Sequence, residues 1–408
     1  MSLDKNFILA INAGSSSIKF ALYKSDSPLQ LLLSGKIERI GLPGTTLSVN
    51  SGGNISQENL GTEVGNFNSA AKFLIAWLAN KINLSRISAV GHRLVHGMQH
   101  TQPELITANL LAELHRISTY DPEHLPGEIA LIEIFQRHFP LLPQVACFDT
   151  AFHCSMPRVA KILPVPRRFD TAGIQRYGFH GLSYEYLLQQ LTQLAGTTAS
   201  HGRVILAHLG NGASLAAVHH GLSIDTSMGF TPAGGLVMGS RSGDLDPGAA
   251  WYLMQSEKLN PQQFNHLVNH ESGLLGISET SSDMRDLLAY EATDIRAAEA
   301  VELFCYQVKK WIGAYAAALG GLDTLVFSGG IGENMPGIRA RICAGLAFLG
   351  IEIDENSNDS NAGVISLPAA RVTVRVINTN EELMIAKSVL RTIGNEIKNS
   401  EKISKTNI

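Results

Sequence analysis

Cysteine is scarce in this chain: four in 408 residues. Cys147, Cys154, Cys305 and Cys343 form no C-x-x-C pair and match no zinc-ligand spacing. That excludes a disulfide scaffold and a structural zinc module, and predicts buried free thiols in a reducing cytoplasm. Long apolar runs are also missing. A membrane span needs about 18 apolar residues, and the longest low-charge stretch, 311–322, is shorter and holds three glycines. Neither charge sign dominates, with 32 Lys and Arg against 36 Asp and Glu. A net charge of −4 gives no reason to expect nucleic acid or an anionic membrane as partner. The opening MSLDKNF carries an acid and no apolar h-region, so no secretory signal is expected. The motifs H-E-x-x-H, G-x-x-x-x-G-K-[ST] and G-x-S-x-G do not occur. A nucleotide, if bound, is bound without a P-loop.

What is present is a set of strand-turn-strand units. FILAINAGSSSIK at 7–19 reads as a buried strand ending on Asn12, a small-residue turn, and a second strand over 18–23. Gly14 allows a sharp bend, and the N–H groups of such a turn form an anion-binding concavity. Ser15, Ser16 and Ser17 add hydroxyls, Lys19 a positive charge, and Asn12 an oxygen suited to hydrated magnesium. VILAHLGNGASLAAV at 204–218 repeats the design around Gly210, Asn211 and Gly212. LVFSGGIGEN at 325–334 is a third apolar strand running into glycines, a turn that lets backbone approach a base or ribose. Two similar hairpins far apart in the chain suggest an internal duplication with a nucleotide between the halves. The length allows two domains with separate cores.

Between these units the periodicity predicts helices over 67–82, 128–138 and 182–194, and the strongest over 296–319, stopped by Gly320 and Gly321. Short strands are expected over 89–92, 145–149 and 372–377, a closing helix over 382–390, and a frayed polar tail from Gly394.

Four further clusters carry chemistry. GHRLVHG places Arg93 just past a strand, and CFDTAFH puts Asp149 at a strand's C-terminal end, where open α/β sheets bind ligands. YGFHG sets His180 between glycines, and MGSRSGDLDPG carries Arg241 in a polar loop. Each has an ordinary structural reading: Arg93 in a surface ion pair, Asp149 as a helix cap, His180 as a core histidine, Arg241 bracing Asp244 or Asp246. Together, two arginines, a histidine and an acid beside phosphate-type turns are the electrostatic inventory of phosphoryl transfer. Negative charge spreads over the equatorial oxygens there and fixed cations stabilise it.

On these motifs, with SMGFTP and NEELMIA, the chain resembles the acetokinase family of short-chain acyl kinases, within the sugar kinase, Hsp70 and actin superfamily, from about Phe7 to about Leu390. The resemblance implies an α/β fold of two duplicated ribonuclease H-like, actin-like ATPase domains with an inter-domain cleft. It sets an N-terminal acyl- and phosphate-side domain at 1–150 plus 382–408 and a nucleotide-binding domain at 151–381. It implies reversible, direct in-line phosphoryl transfer from ATP to acetate, giving acetyl phosphate and ADP. Asn12 and Glu381 would hold Mg2+, with Mn2+ as the alternative, and Lys19 would approach the nucleotide phosphates. Arg93, Val95, Phe179 and Pro232 would meet the acyl group, Asp149 would be the essential acid, and His180 and Arg241 would stabilise the transferring phosphoryl. His208, Leu209, Gly210, Asn211 and Gly212, then Asp283, Met284 and Arg285, then Gly330, Ile331, Gly332, Glu333 and Asn334, would surround ATP. The partners implied are a small carboxylic acid, ATP and a second copy of the chain as a homodimer, with no nucleic acid and no membrane.

A carboxylic acid acceptor has a pKa of about 4 to 5 and is already ionised at neutral pH. It needs no base, only relief of its repulsion against ATP, and arginines give that. Asp149 is therefore expected to orient Arg93 or a magnesium-bound water rather than remove a proton. The chain departs from the family pattern after Tyr120, where it reads DPEHLP: Glu123 takes the place of a pocket leucine and Leu125 that of an asparagine. Met98 replaces a second glycine, and PAGG at 232–235 lacks a leucine and a glutamate. A carboxylate in an apolar pocket is costly unless paired or turned away, so Glu123 bears on acyl length more than on the reaction. Propionate and butyrate kinases share these motifs. A nucleotide-switched binding protein would share the hairpins without needing FDTAFH, YGFHG and GSRSGD together.

Overall fold

The computed structural model describes residues 6–14, 17–61 and 64–406; Ser15 and Ser16 of the first turn lie outside them. The chain divides into two compact units, Met1–Ala151 with Asn380–Ile408, and Phe152–Thr379.

The first unit is an eight-stranded sheet. In chain order its strands are β1 (Phe7–Ala13), β2 (Ser17–Lys24), β3 (Gln30–Glu38), β4 (Thr46–Ser51), β5 (Asn54–Asn59), β6 (Ile87–Leu94), β7 (Glu104–Leu105) and β8 (Gln144–Phe148). The order across the sheet is β5-β4-β3-β2-β1-β6-β8-β7, with β1, β6 and β8 parallel. The first hairpin is antiparallel, as the sequence predicts, and pairs Asn12 with Lys19. The run Gln30–Glu38 is a strand that sequence reading passed over. Every residue of β1 is buried, because both faces of the sheet are covered. Leu9, Ile11 and Phe20 form one core with Leu74 of helix Phe67–Lys81 and Phe135 of helix Leu125–His138. Helix Glu381–Thr406 lies on β1 and β6. Its approach is close enough that a Cβ on Gly91 would sit 2.5 Å from Ile385 and 2.6 Å from Val389. This helix also corrects an expectation: the chain does not fray at Gly394 but stays helical to Thr406. Glu, Lys, Ile and Ser dominate the segment, and most of these tolerate a helix well.

The second unit is a five-stranded sheet of β9 (Val204–Leu209), β10 (Ala213–His219), β11 (Leu222–Thr226), β12 (Thr324–Ser328) and β13 (Thr373–Val376), in the order β11-β10-β9-β12-β13. The two outer antiparallel strands on one side and the two parallel strands on the other repeat the order β3-β2-β1-β6-β8. The duplication inferred from the two hairpins is thus a repeat of topology. Helix Ile295–Ala318 buries Val301, Phe304, Val308 and Ile312 at helical spacing and feeds β12. Helix Gly181–His201 precedes β9 and is interrupted at Gly196, whose φ is 82°. The glycines after β12 make a short helix, Gly329–Asn334, rather than the open turn expected. All four cysteines are free thiols, and Cys154 is exposed where burial was expected. No helix among the described residues is long and apolar enough to cross a membrane.

Candidate functional site

In the first unit the predicted residues gather at the C-terminal ends of three neighbouring parallel strands. Asn12 is buried near the end of β1, and its Nδ2 donates to Glu381 Oε2 at 2.7 Å and to Glu382 Oε1 at 3.0 Å. A side chain on the first strand thus meets two carboxylates on the last helix; Glu381 and Glu382 offer oxygens, and Asn12 would offer its Oδ1 with the amide turned over. One or two carboxylates with water is the donor set that magnesium favours, so these residues fit that ion. Lys19 faces solvent on β2.

Arg93 lies within β6, one residue before its end rather than past it. Its Nη2 donates to Asp149 Oδ2 at 2.8 Å and its Nη1 to the carbonyl of Ala13 at 3.1 Å, while the buried Nε has no partner among the described residues. Asp149 follows β8, is fully buried, and is anchored by its own N–H on the Leu94 carbonyl at 2.8 Å. Burial works against the Arg93 charge, but Asp149, Glu381 and Glu128 outweigh it and hold the guanidinium more firmly protonated than usual. Val95 comes next, and its N–H donates to Glu128 Oε2 at 2.9 Å. Sequence reading missed both Glu128 and Glu382. Glu128 was detectable in principle, since it shares the buried stripe of its helix with Leu131, Ile132 and Phe135.

In the second unit His180 takes a left-handed backbone, φ 59°, just before helix Gly181–His201. For a residue with a Cβ that costs on the order of 1 to 3 kcal/mol and is held by its surroundings. Its Nδ1 lies 2.8 Å from Ser214 Oγ on β10, and Ser214 Oγ is 2.5 Å from the Tyr184 hydroxyl. The imidazole stacks on His208 with centroids 4.3 Å apart. His208 Nδ1 in turn meets Ser183 Oγ at 2.8 Å. Arg241 is fixed by Nη1 donating to the Pro232 carbonyl at 2.7 Å. Both side chains reach the β9–β10 turn: a Cβ on Gly212 would lie 3.3 Å from His180 Nε2 and 3.5 Å from Arg241 Nη2. Gly212 keeps that space clear.

The other predicted nucleotide residues separate by role. Gly210 closes the turn with its N–H on the Gly212 carbonyl at 3.0 Å, and Leu209 is buried beneath it. Gly329, φ 75°, packs so closely on Leu209 that a Cβ would come within 2.6 Å of its carbonyl oxygen. Glu333 turns inward, its Oε1 accepting from Gly329 N–H at 2.9 Å and Thr379 N–H at 3.0 Å. Asn334 bonds back to the Gly330 carbonyl at 3.0 Å. Ile331 and Gly332 are buried, whereas the Cα of Gly330 faces open space. Asp283 caps helix Met284–Tyr290 by accepting from Arg285 N–H at 2.9 Å and forms an ion pair with the exposed Arg285; Met284 is buried. The Ser282 carbonyl just ahead of them lies beside Gly239, the glycine on which Asn211 packs. Phe179 is buried next to His180.

Residues 7–387 match the model of the Acetokinase family. The chain belongs to the acetokinase family. Its sequence is 44% identical over 390 residues to an acetate kinase of Rhodopseudomonas palustris, covering 94% of this chain and 98% of the relative. It is also 44% identical over 391 residues to a propionate kinase of Citrobacter rodentium, covering 94% and 96%. Among solved structures, a propionate kinase from Francisella tularensis superposes with a TM-score of 0.87 at 38% identity, covering 94% of this chain and 98% of that one. The fold is the two-domain actin-like ATPase fold that the duplicated topology indicates. Membership in this family carries a reaction class, phosphoryl transfer from ATP to a short-chain carboxylate.

Proposed function

We propose that this protein is an acetate kinase, transferring the γ-phosphoryl of ATP directly and reversibly to acetate, in the cytoplasm and as a homodimer. The observation that carries the reading is Arg93 held between Asp149 and the Ala13 carbonyl with its Nε–H unclaimed among the described residues. That is a fixed cation for an anionic acceptor. A hydroxyl acceptor would need Asp149 as a base, and Asp149 is already engaged by Arg93. Arg93 binds the acyl carboxylate, and Asp149 holds the guanidinium in place. Val95, Phe179 and Pro232 contact the acyl chain. His180 Nε2 and Arg241 Nη2, which meet beside Gly212, donate to the equatorial oxygens of the phosphoryl as it passes between donor and acceptor. The backbone at Gly210–Gly212 and Gly330 lies along the nucleotide, with Lys19 toward its phosphates. Asn12, Glu381 and Glu382 would hold magnesium, which would supply positive charge to the phosphate oxygens.

Relatives named for acetate and for propionate stand at equal identity, so propionate is the competing acceptor. Helix Pro247–Ser256 buries none of its residues in the protomer and exposes Trp251 and Tyr252 at 65% and 64%, which supports a second copy as its cover. The test is acyl phosphate formation, trapped with hydroxylamine, from acetate, propionate and butyrate side by side with ATP and Mg2+. Acetate is expected to lead. Preference for propionate would move the assignment within the family, and no turnover with any acid would refute it.

A further inference from the structure

Glu128 is a buried carboxyl group that the transfer itself does not use. It sits on helix Leu125–His138, 4% exposed, with Oε2 accepting the Val95 N–H and Oε1 without a hydrogen-bond partner among the described residues. Its charge acts on Arg93 together with those of Asp149, which is bonded to the guanidinium at 2.8 Å, and Glu381, so three carboxyl groups bear on one guanidinium. The remaining charged group acting on Glu128 is Asp121, which precedes its helix and is bonded to His124 at 2.9 Å. Helices Phe67–Lys81 and Ala108–Ile117 also pack on this helix, and no group on either is among the main influences on Glu128. The ion pairs on the second of them, His115 with Glu133 and Glu113 with His100 and Arg116, are all partly exposed to solvent.

Given the acyl kinase reading above, on which this inference rests, charge decides what Glu128 can do. If all three carboxyls are ionised, the cluster carries two negative charges in excess of Arg93 before the substrate arrives. The acceptor is a fourth carboxylate, bound at the same guanidinium. Of the three, Glu128 alone has an oxygen with no donor among the described residues that is also fully enclosed. Ionised, that oxygen is an uncompensated buried charge; protonated, it is a hydroxyl that offers a hydrogen bond to an incoming anion. We propose that Glu128 is a positioning residue that must carry a proton for the acyl carboxylate to bind at Arg93, so that substrate binding is linked to proton uptake from solvent. Burial pushes this carboxyl up to about 8, with Arg93 and the Val95 N–H opposing, which puts the linkage within reach of ordinary buffers.

The experiment is the pH dependence of the KM for acetate between pH 6.5 and 9.5, followed by coupled ADP release, in wild type and in Glu128→Gln. The amide keeps an oxygen for Val95 and cannot ionise. In wild type, KM is expected to rise about fivefold from pH 8 to pH 9 and to approach about tenfold per pH unit above that, as one obligatory proton requires, while kcat changes much less. In Glu128→Gln the profile is expected to be flat. A flat wild-type profile, or a glutamine variant that keeps the wild-type break, overturns the proposal. Should the variant fail to fold, calorimetry of acetate binding to wild type at pH 8.5, in two buffers of different ionisation enthalpy, decides. Proton uptake supports the linkage and zero uptake ends it. Turnover at pH 7 with no pH effect would sink only the role of Glu128. Absence of turnover with any acid at pH 7 would sink the kinase reading beneath it.

Discussion

His92 sits on β6 next to Arg93 and behaves in the opposite way. It is buried, bonded through Nε2 to Gln144 Oε1 at 2.6 Å, and burial lowers it to about 4. The unfolded chain binds a proton near pH 6.5 that the folded one refuses, so its contribution to stability is full above about 6.5 and is lost as pH falls toward 4. Glu128 has the reverse sign. Its proton is retained in the folded state, so stability falls as pH rises from about 4.5 to 8. Each slope is at most about 1.4 kcal/mol per pH unit, and the two offset each other between about 4.5 and 6.5. Glu128→Gln is therefore expected to unmask the histidine: its Tm should climb from pH 4.5 to 6.5 more steeply than wild type does. Identical slopes in thermal melts would rule out the compensation. For the reaction itself, Arg241→Ala is expected to lower kcat by about a hundredfold or more with a smaller change in the KM for ATP, as removal of a transition-state donor does. Equal losses in both would make Arg241 a nucleotide-binding residue instead. Asn12, Arg93, Asp149, His180 and Arg241 were readable because each stood at a strand end or between glycines. Ser214 and Tyr184, which fix the His180 ring, were not. A serine inside an apolar strand and a tyrosine inside a helix carry no local signal, and only folding brings them to the imidazole.

At the level of elements, the hairpins and the helix over 295–318 were legible because their apolar periods are strong and glycines punctuate them. The strand Gln30–Glu38 was not, since only two of its nine residues are buried and its alternation is weak. The extent of the last helix was hidden because a polar stretch is helical through continuity with a packed first half, not through a face of its own. That packed half has a sharp requirement at Gly91. Gly91→Ala puts a methyl group into Ile385 and Val389, and overpacking of this kind costs about 1 to 3 kcal/mol. Gly91→Ala should lower Tm by several degrees, and Gly91→Ala with Val389→Ala should recover part of it. A neutral single variant would mean that the helix can lift from the strand at no cost.

The two units repeat one topology. In the proposed reaction Arg93 and Asp149 of the first would serve the acid, and His180, Arg241 and the glycine turns of the second would serve the phosphoryl group and the nucleotide. What the sequence could not give was the surface left over. Trp251 and Tyr252 were not singled out there, because aromatic residues on a short helix read as core. Their exposure is what the proposed homodimer would cover. Trp251→Glu is expected to shift the protein from dimer to monomer in sedimentation velocity while a folded far-UV spectrum is retained; an unchanged dimer would place its interface elsewhere.

The bond from Asn12 to Glu381 spans 369 residues, and the unit it closes contains the whole of the other unit as an insertion. On a ribosome adding about 5 to 20 residues per second, the first strand emerges roughly 20 to 70 seconds before the helix that must cover it. During that interval one face of β1 and β6 is bare, and the inserted unit receives its last strand, β13, only as the interval ends. The last-made segment is therefore what completes the first-made one, and nascent chains of this protein carry an open apolar sheet for most of their synthesis. Chaperone dependence should accordingly follow the time taken to translate the inserted unit, and a slow codon cluster there should matter more than one near the start.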